Sequence, residues 1–369
     1  MPELPYASTP RAIQQRSVTR PEAVHASPWV ASVLHALTVD ERAAVSLYRT
    51  MRNHPARDDD HLGEYLRLTR VDLMVTGRCQ LRCSWCWGPE HSSATEGVLR
   101  WKQLLLQLAL DGVTDVVFSG GEPLLYPGLP ELLEFAHDGL GLRVTLSTNG
   151  IDHGRLAATL DHVNDVGIPL DGSTAEMNDR MRSRSEHNGA WEKAIEAMAR
   201  VQEFADAMRR DTVVTVRTVI SKKNATDIAR IPKVLAARGI DTRRKRFRMK
   251  LYRLTPLGPH VGSIDLDDWG IAAPAFEQTV HDVIRENPAV AITAQGFEAF
   301  NDKYFKVDPT GEAVGTHLEM GGDPVDVPYG NIFADYPGTM EAFYRHQIAI
   351  RPLQAMVETI RLARQGTHR

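Results

Sequence analysis

Cys79, Cys83 and Cys86 are the whole thiol complement of the 369-residue chain, and they fall together as a CxxxCxxC loop. Thiolates at this spacing suit a cubic [4Fe–4S] cluster in which three irons take protein ligands and the fourth has none. An iron left open is a place where a small molecule can chelate. A Cys3His zinc site is the rival chemistry, because His91 is near enough in sequence to complete a tetrahedron. A disulfide framework needs an even count and a small secreted chain, and neither holds.

A second set of candidates is cationic. In RRKRFRMKLYR (243–253) apolar Phe247, Met249 and Leu251 alternate with Arg246, Arg248, Lys250 and Tyr252. A period of two puts the apolar set on one sheet face, under helices, and the basic set on the other. Cations opening into a cavity imply an anionic substrate, a phosphate or a carboxylate, so Arg248 and Lys250 are candidate substrate residues. Arg243, Arg244 and Lys245 read as a solvated loop. In VTVRTVISKKN the same parity turns Thr215, Arg217 and Val219 inward. An inward arginine is costly unless it meets an anion.

Residues of this kind need strand ends to hold them. Strand patterns are predicted at 69–75, 114–118, 142–147, 165–170, 212–220 and 246–252. Helical patterns alternate with them near 98–111, 128–138, 152–160, 188–206, 226–238 and 272–286. Six βα repeats imply an α/β fold, a parallel sheet curled into a partial (β/α)6 TIM-like barrel. The cysteine loop, the Gly-Gly-Glu-Pro of 120–123 and the Ser-Thr-Asn-Gly of 147–150 all fall where strands end, as barrel chemistry does. Residues 1–66 read as a flexible tail and a helical extension, with Thr38 and Glu41 as a capping box opening a helix through about residue 52. Residues 67–260 form the barrel core. Residues 261–369 are expected to complete the barrel and cover the substrate site, with a hairpin around Asp308–Gly311 and a helix near 352–365.

A strand, a cysteine loop, a helix and a second strand ending in Gly120-Gly121-Glu122-Pro123 together resemble the radical S-adenosylmethionine (SAM) superfamily, over roughly residues 67–260. The resemblance implies that SAM chelates the open iron, that one electron from a flavodoxin- or ferredoxin-type donor cleaves it, and that the adenosyl radical takes hydrogen from the substrate. It implies cofactor contacts for Trp85 against the adenine, for Gly120, Gly121 and Glu122 at the SAM amine, for Arg217 at the SAM carboxylate, and for Leu251. If a radical must be quenched by the protein, Tyr252 is the candidate. Arg248-Met249-Lys250-Leu251-Tyr252 is similar to the corresponding stretch of viperin-type enzymes, and the layout to MoaA-type enzymes. Asp171 takes the place of an acidic residue on their fourth strand. Pro169 and Thr215 depart from that pattern, where a serine and a lysine would stand.

The cysteine count leaves no thiol for an auxiliary cluster or for hydrogen donation to a product radical. The expected function is therefore single-cluster radical chemistry on a small anionic metabolite. A maturase of a ribosomal peptide is the alternative, and a zinc-stabilised binding protein a third reading. A net charge of −4 argues against a general nucleic-acid binder. No apolar run approaches the ~18 residues that would cross a membrane, and the N-terminus lacks a secretion signal. A reducing cytoplasm is the expected location.

Overall fold

The computed structural model describes residues 28–52, 68–83, 85–92, 94–182, 189–260, 264–297, 304–318 and 324–347. Six parallel strands form its frame: β1 (Arg70–Met74), β2 (Asp115–Ser119), β3 (Arg143–Ser147), β4 (Asp165–Pro169), β5 (Val213–Ile220) and β6 (Phe247–Arg253). They are hydrogen-bonded in chain order, with Val71 opposite Val116, Val166 opposite Val214 and Val216 opposite Met249. Most of their residues are buried, which fits strands covered by helices on one side and closed around a lumen on the other. In β6, Phe247, Met249 and Leu251 are buried while Arg248, Lys250 and Tyr252 are half-buried, the alternation that the sequence predicts.

The sheet extends beyond these six on both sides. β7 (Ile292–Gln295) adds parallel to β6. β8 (Phe305–Val307) adds parallel to β1 and continues through antiparallel β9 (Glu312–Leu318) and β10 (Pro324–Asn331). The hairpin around Asp308–Gly311 joins β8 to β9, and Asp308 holds it by accepting hydrogen bonds from the amides of Thr310 and Glu312. Among the described residues the result is a ten-stranded sheet, four strands added to the six of the core.

The outer layer includes α1 (Pro28–Val39), α2 (Glu41–Arg52), α3 (Val98–Leu110), α4 (Leu129–Glu134), α5 (His153–Ala157), α6 (Ala175–Arg182), α7 (Ala190–Ala207), α8 (Ile231–Ala237) and α9 (Ala273–Glu286). Leu37, Ala44 and Tyr48 of the first two helices join the same core as Trp101, Leu104 and Leu108 of α3. Lys102, almost fully buried on α3, is held by Glu41 and, at 2.7 Å, by Glu131. The cap of α2 differs from the capping-box expectation. Asp40 accepts from the amides of Arg42 and Ala43, while the Thr38 hydroxyl donates back to the His35 carbonyl. One residue between the two helices leaves room only for a short acidic cap. The expected tail and the helix at 352–365 lie outside the described residues.

Candidate active site

The chain leaves β1 at Met74 and enters the cysteine loop at the C-terminal mouth of the barrel. Cys79, Cys83 and Cys86 gather with Leu81, Trp85, Ile151 and Ala190 in a small apolar cluster of their own. Burial pushes the Cys79 thiol up to about 11 and the Cys83 thiol to about 12, and raises Cys86 as well. Two backbone amides already point at sulfur: Leu81 donates to Cys79 Sγ and Gly88 to Cys86 Sγ, each at 3.3 Å. Among the described residues the three sulfurs are not all within 4.8 Å of one another, as the ligands of one ion would be. A zinc with Zn–S bonds of about 2.3 Å would hold its sulfurs roughly 3.8 Å apart. His91 lies instead 4.9 Å from the ring of His260.

The turn after β2 is bound to this loop by its backbone. Gly121 donates to Thr76 O and Glu122 to Arg78 O, both at 2.7 Å. A Cβ on Gly120 would lie 2.4 Å from Thr76 O, and one on Gly121 2.5 Å from Arg78 O, so only glycine lets the two loops close. With the N–H groups of Gly121 and Glu122 spent, the carbonyls are what this turn can offer to a cofactor amine. The Glu122 carboxylate faces the other way. Fully buried, it accepts from Leu124 N at 3.1 Å and from Thr148 Oγ1 and Asn149 N at 2.7 Å. Desolvation raises it to about 7 despite those bonds. Its side chain therefore pins the end of β2 to the Ser-Thr-Asn-Gly turn after β3, and only its main chain remains for a cofactor.

Behind the thiols stands a cation that sequence reasoning missed. Arg182, at the end of α6, pairs through Nε with the buried Asp171 at 2.7 Å, and its guanidinium lies 5.3 Å from the Trp85 ring. Trp85 Nε1 donates to Met181 O at 2.6 Å, and Cys83 Sγ to Arg182 O at 3.4 Å. Trp85 is thus fastened to α6, with one ring face given to Arg182. Asp171, which also accepts from Val219 N at 2.7 Å, is a structural counter-ion here.

Further into the lumen, Arg217 lies across Gly167, where a Cβ would come within 2.3 Å of its Nε, and donates to Ser147 Oγ at 2.6 Å. It faces the interior as the parity of β5 requires. Arg248 does not act as an open cation. Its Nη2 pairs with Asp165, its Nε donates to Thr215 Oγ1 at 2.8 Å, and Thr215 donates to Asp165 at 2.7 Å. The triad closes near the N-terminal ends of the strands, where the guanidinium expected to meet substrate is engaged by Asp165 and Thr215. Leu251, expected at the cofactor, turns away from the lumen. Its side chain is wholly buried in the core, leaving only backbone to touch a cofactor. Lys250 faces the lumen with its ammonium 5.1 Å from the Tyr252 ring, and among the described residues no carboxylate pairs with it. The third wall was not foreseen. Lys306 of β8 lies 4.3 Å from the Trp87 ring and 3.0 Å from Asp326, and Trp87 packs on Tyr304 at 4.8 Å. Asp72 of β1, raised by desolvation, accepts from Ser119 beside them. The inward parity of β1 alone would have flagged Asp72.

Residues 73–231 match the family model described as Radical SAM superfamily. The chain carries a radical SAM domain over those residues. Its [4Fe–4S] cluster and SAM fit the residues present: three thiols gathered in one small apolar cluster, amides aimed at two of the sulfurs, and a glycine turn closed against the loop. Cys79, Cys83 and Cys86 would hold the cluster. Among the curated relatives, an Fe-coproporphyrin III synthase of Methanosarcina barkeri is 35% identical over 209 residues, 54% of this chain and 48% of that protein. A PqqA peptide cyclase of Rhodopseudomonas palustris is 27% identical over 294 residues, 75% of each chain. The chain spans about half the length of the first curated relatives it matches. SuiB of Streptococcus suis, solved with SAM, superposes with a TM-score of 0.55 at 15% identity, covering 83% of this chain and 73% of SuiB. With its precursor peptide SuiA bound, SuiB gives 0.53 at 16% identity, covering 73% and 64%. These likenesses establish the partial barrel. Among the described residues no helix is long and apolar enough to cross a membrane.

Proposed function

We propose that this radical SAM enzyme is a maturase that takes hydrogen from a residue of a ribosomally made peptide. The supporting observation is an alignment running well beyond residues 73–231: the relative matched over 294 residues is by name a peptide cyclase. Bound to the three thiolates, the cluster would supply the electron that cleaves SAM to a 5′-deoxyadenosyl radical, re-reduced by a flavodoxin- or ferredoxin-type donor in the cytoplasm. The chain's own residues do the rest. Gly120 and Gly121 present carbonyls to the SAM amine, Arg217 presents its guanidinium to the SAM carboxylate, and Trp85 backs the cofactor from α6. Lys250 and Tyr252 line the lumen beyond them, where the substrate enters.

A second reading keeps the expected small anionic substrate. It is favoured by the Lys250 ammonium, which meets no carboxylate among the described residues, and by the relative named for Fe-coproporphyrin III. One assay separates the two. Reconstituted enzyme is given dithionite and SAM anaerobically, with PqqA peptide or with a polycarboxylate iron tetrapyrrole, and 5′-deoxyadenosine, substrate mass and formation of Fe-coproporphyrin III are followed. A mass change in the peptide with 5′-deoxyadenosine above the substrate-free rate supports the maturase. Conversion of the tetrapyrrole alone would replace it with the second reading.

A further inference from the structure

At the end of the barrel opposite the cysteines, a wide turn, Phe135–Gly139, closes with Leu140 N donating to Phe135 O at 2.9 Å. Such i→i+5 turns recur at functional sites. This one presents His137 and Asp138, while His162 enters from the short turn Leu160–His162 just before β4. His137 Nδ1 is 2.5 Å from Asp138 Oδ1, and His162 Nδ1 is 2.9 Å from Asp138 Oδ2. One carboxylate is thus shared by two imidazoles, one oxygen to each. His162 Nδ1 is buried and aimed into the cluster, with the Asp138 carboxylate as the group facing it.

We propose that His137, Asp138 and His162 bind one divalent first-row ion, with Zn²⁺ the best-suited species. The three ligand atoms all lie within 4.8 Å of one another. A tetrahedral zinc with bonds of about 2.0–2.1 Å spaces its ligands roughly 3.3 Å apart, a value between that limit and the contacts present. Two imidazoles and a carboxylate are a donor set that zinc accepts readily. The fourth position opens to solvent, because Asp138 is 53% exposed and lines a cleft of about 520 Å³ between α2 and the wide turn. That cleft is the entry path. Arg49 of α2 donates to the carbonyls of Asp138 and Gly139, not to the ligand atoms. A bound ion would cross-link the wide turn to the entrance of β4 and steady the seat of α2. This site is independent of the three cysteines.

The test uses anaerobic holoenzyme with its iron–sulfur cluster in place. Equilibrium dialysis against Zn²⁺ is followed by metal analysis, for the parent protein, His162→Ala and His137→Gln. The expected result is one zinc per chain at unchanged iron content, with affinity falling more than about tenfold in each variant, a loss that even an outer-shell change can produce. X-ray absorption at the zinc edge should show only nitrogen and oxygen neighbours, two of them imidazole. Sulfur neighbours, less than one zinc per chain, or equal affinity in either variant would overturn the proposal and leave the cluster an ion-paired triad. Because iron content and zinc spectra are read separately, a variant that misfolds is recognised by loss of its cluster.

Discussion

Glu122→Gln gives a stability signature that follows from the burial of one carboxyl. In the folded chain Glu122 is about 1% exposed and holds its proton to about pH 7, against 4.5 for the free side chain. A folded state that binds the extra proton is favoured at low pH. The stabilisation is complete below about 4.5 and is lost as pH rises through 7. Linkage puts the whole effect at about 3 kcal/mol, of which about 1.4 kcal/mol disappears between pH 6 and 8. Glutamine cannot titrate, so the slope should vanish in the variant. Its amide nitrogen must also face an N–H or O–H donor among Leu124, Thr148 and Asn149, a conflict costing roughly 1–3 kcal/mol at all pH values. Anaerobic urea unfolding of both proteins at several pH values measures the difference, and groups common to both cancel. A parent-minus-variant gap that stays constant from pH 6 to 8 would refute the raised carboxyl.

Three further changes probe the site. Lys250→Ala should lower substrate turnover by about tenfold or more, the worth of a charged hydrogen bond, while substrate-free SAM cleavage persists; equal loss of both would assign Lys250 to the cofactor. Gly120→Ala forces a Cβ to 2.4 Å from Thr76 O at a φ of +137°, and reconstituted protein should hold well under the parent's iron; full iron loading would show that the two loops can part. Arg182→Met leaves Asp171 buried without its ion partner and should cost about 3–5 kcal/mol in unfolding free energy. Asp171→Asn in the same chain should recover part of that loss, and strict additivity of the two changes would dissolve the pairing.

Much of this was legible from local pattern. Each of the six barrel strands is a compact run with its own period, and the three cysteines need no partner beyond their loop to declare their chemistry. What failed to show depends on residues far apart in the chain. Arg248 reads as an open cation until Asp165, 83 residues earlier, is brought beside it by the sheet. Arg182 carries no local mark, because its meaning comes from a carboxylate and an indole on other elements. β7 is four residues long, too short for a period to register, and the hairpin arm that becomes β8 bears no mark in sequence that it pairs with β1, so the Lys306 wall went unforeseen.

The two hydrogen bonds tying Gly121 and Glu122 to the cysteine loop make Thr76–Arg78 and the turn after β2 one body. That body reaches on through the Glu122 carboxylate to the amide of Asn149. Oxidative loss of the metal cluster would then be felt more than one strand away, and deuterium uptake at the Asn149 amide becomes a clock for it. A preparation could be graded for intact centres by mass spectrometry of one peptide, without any turnover at all.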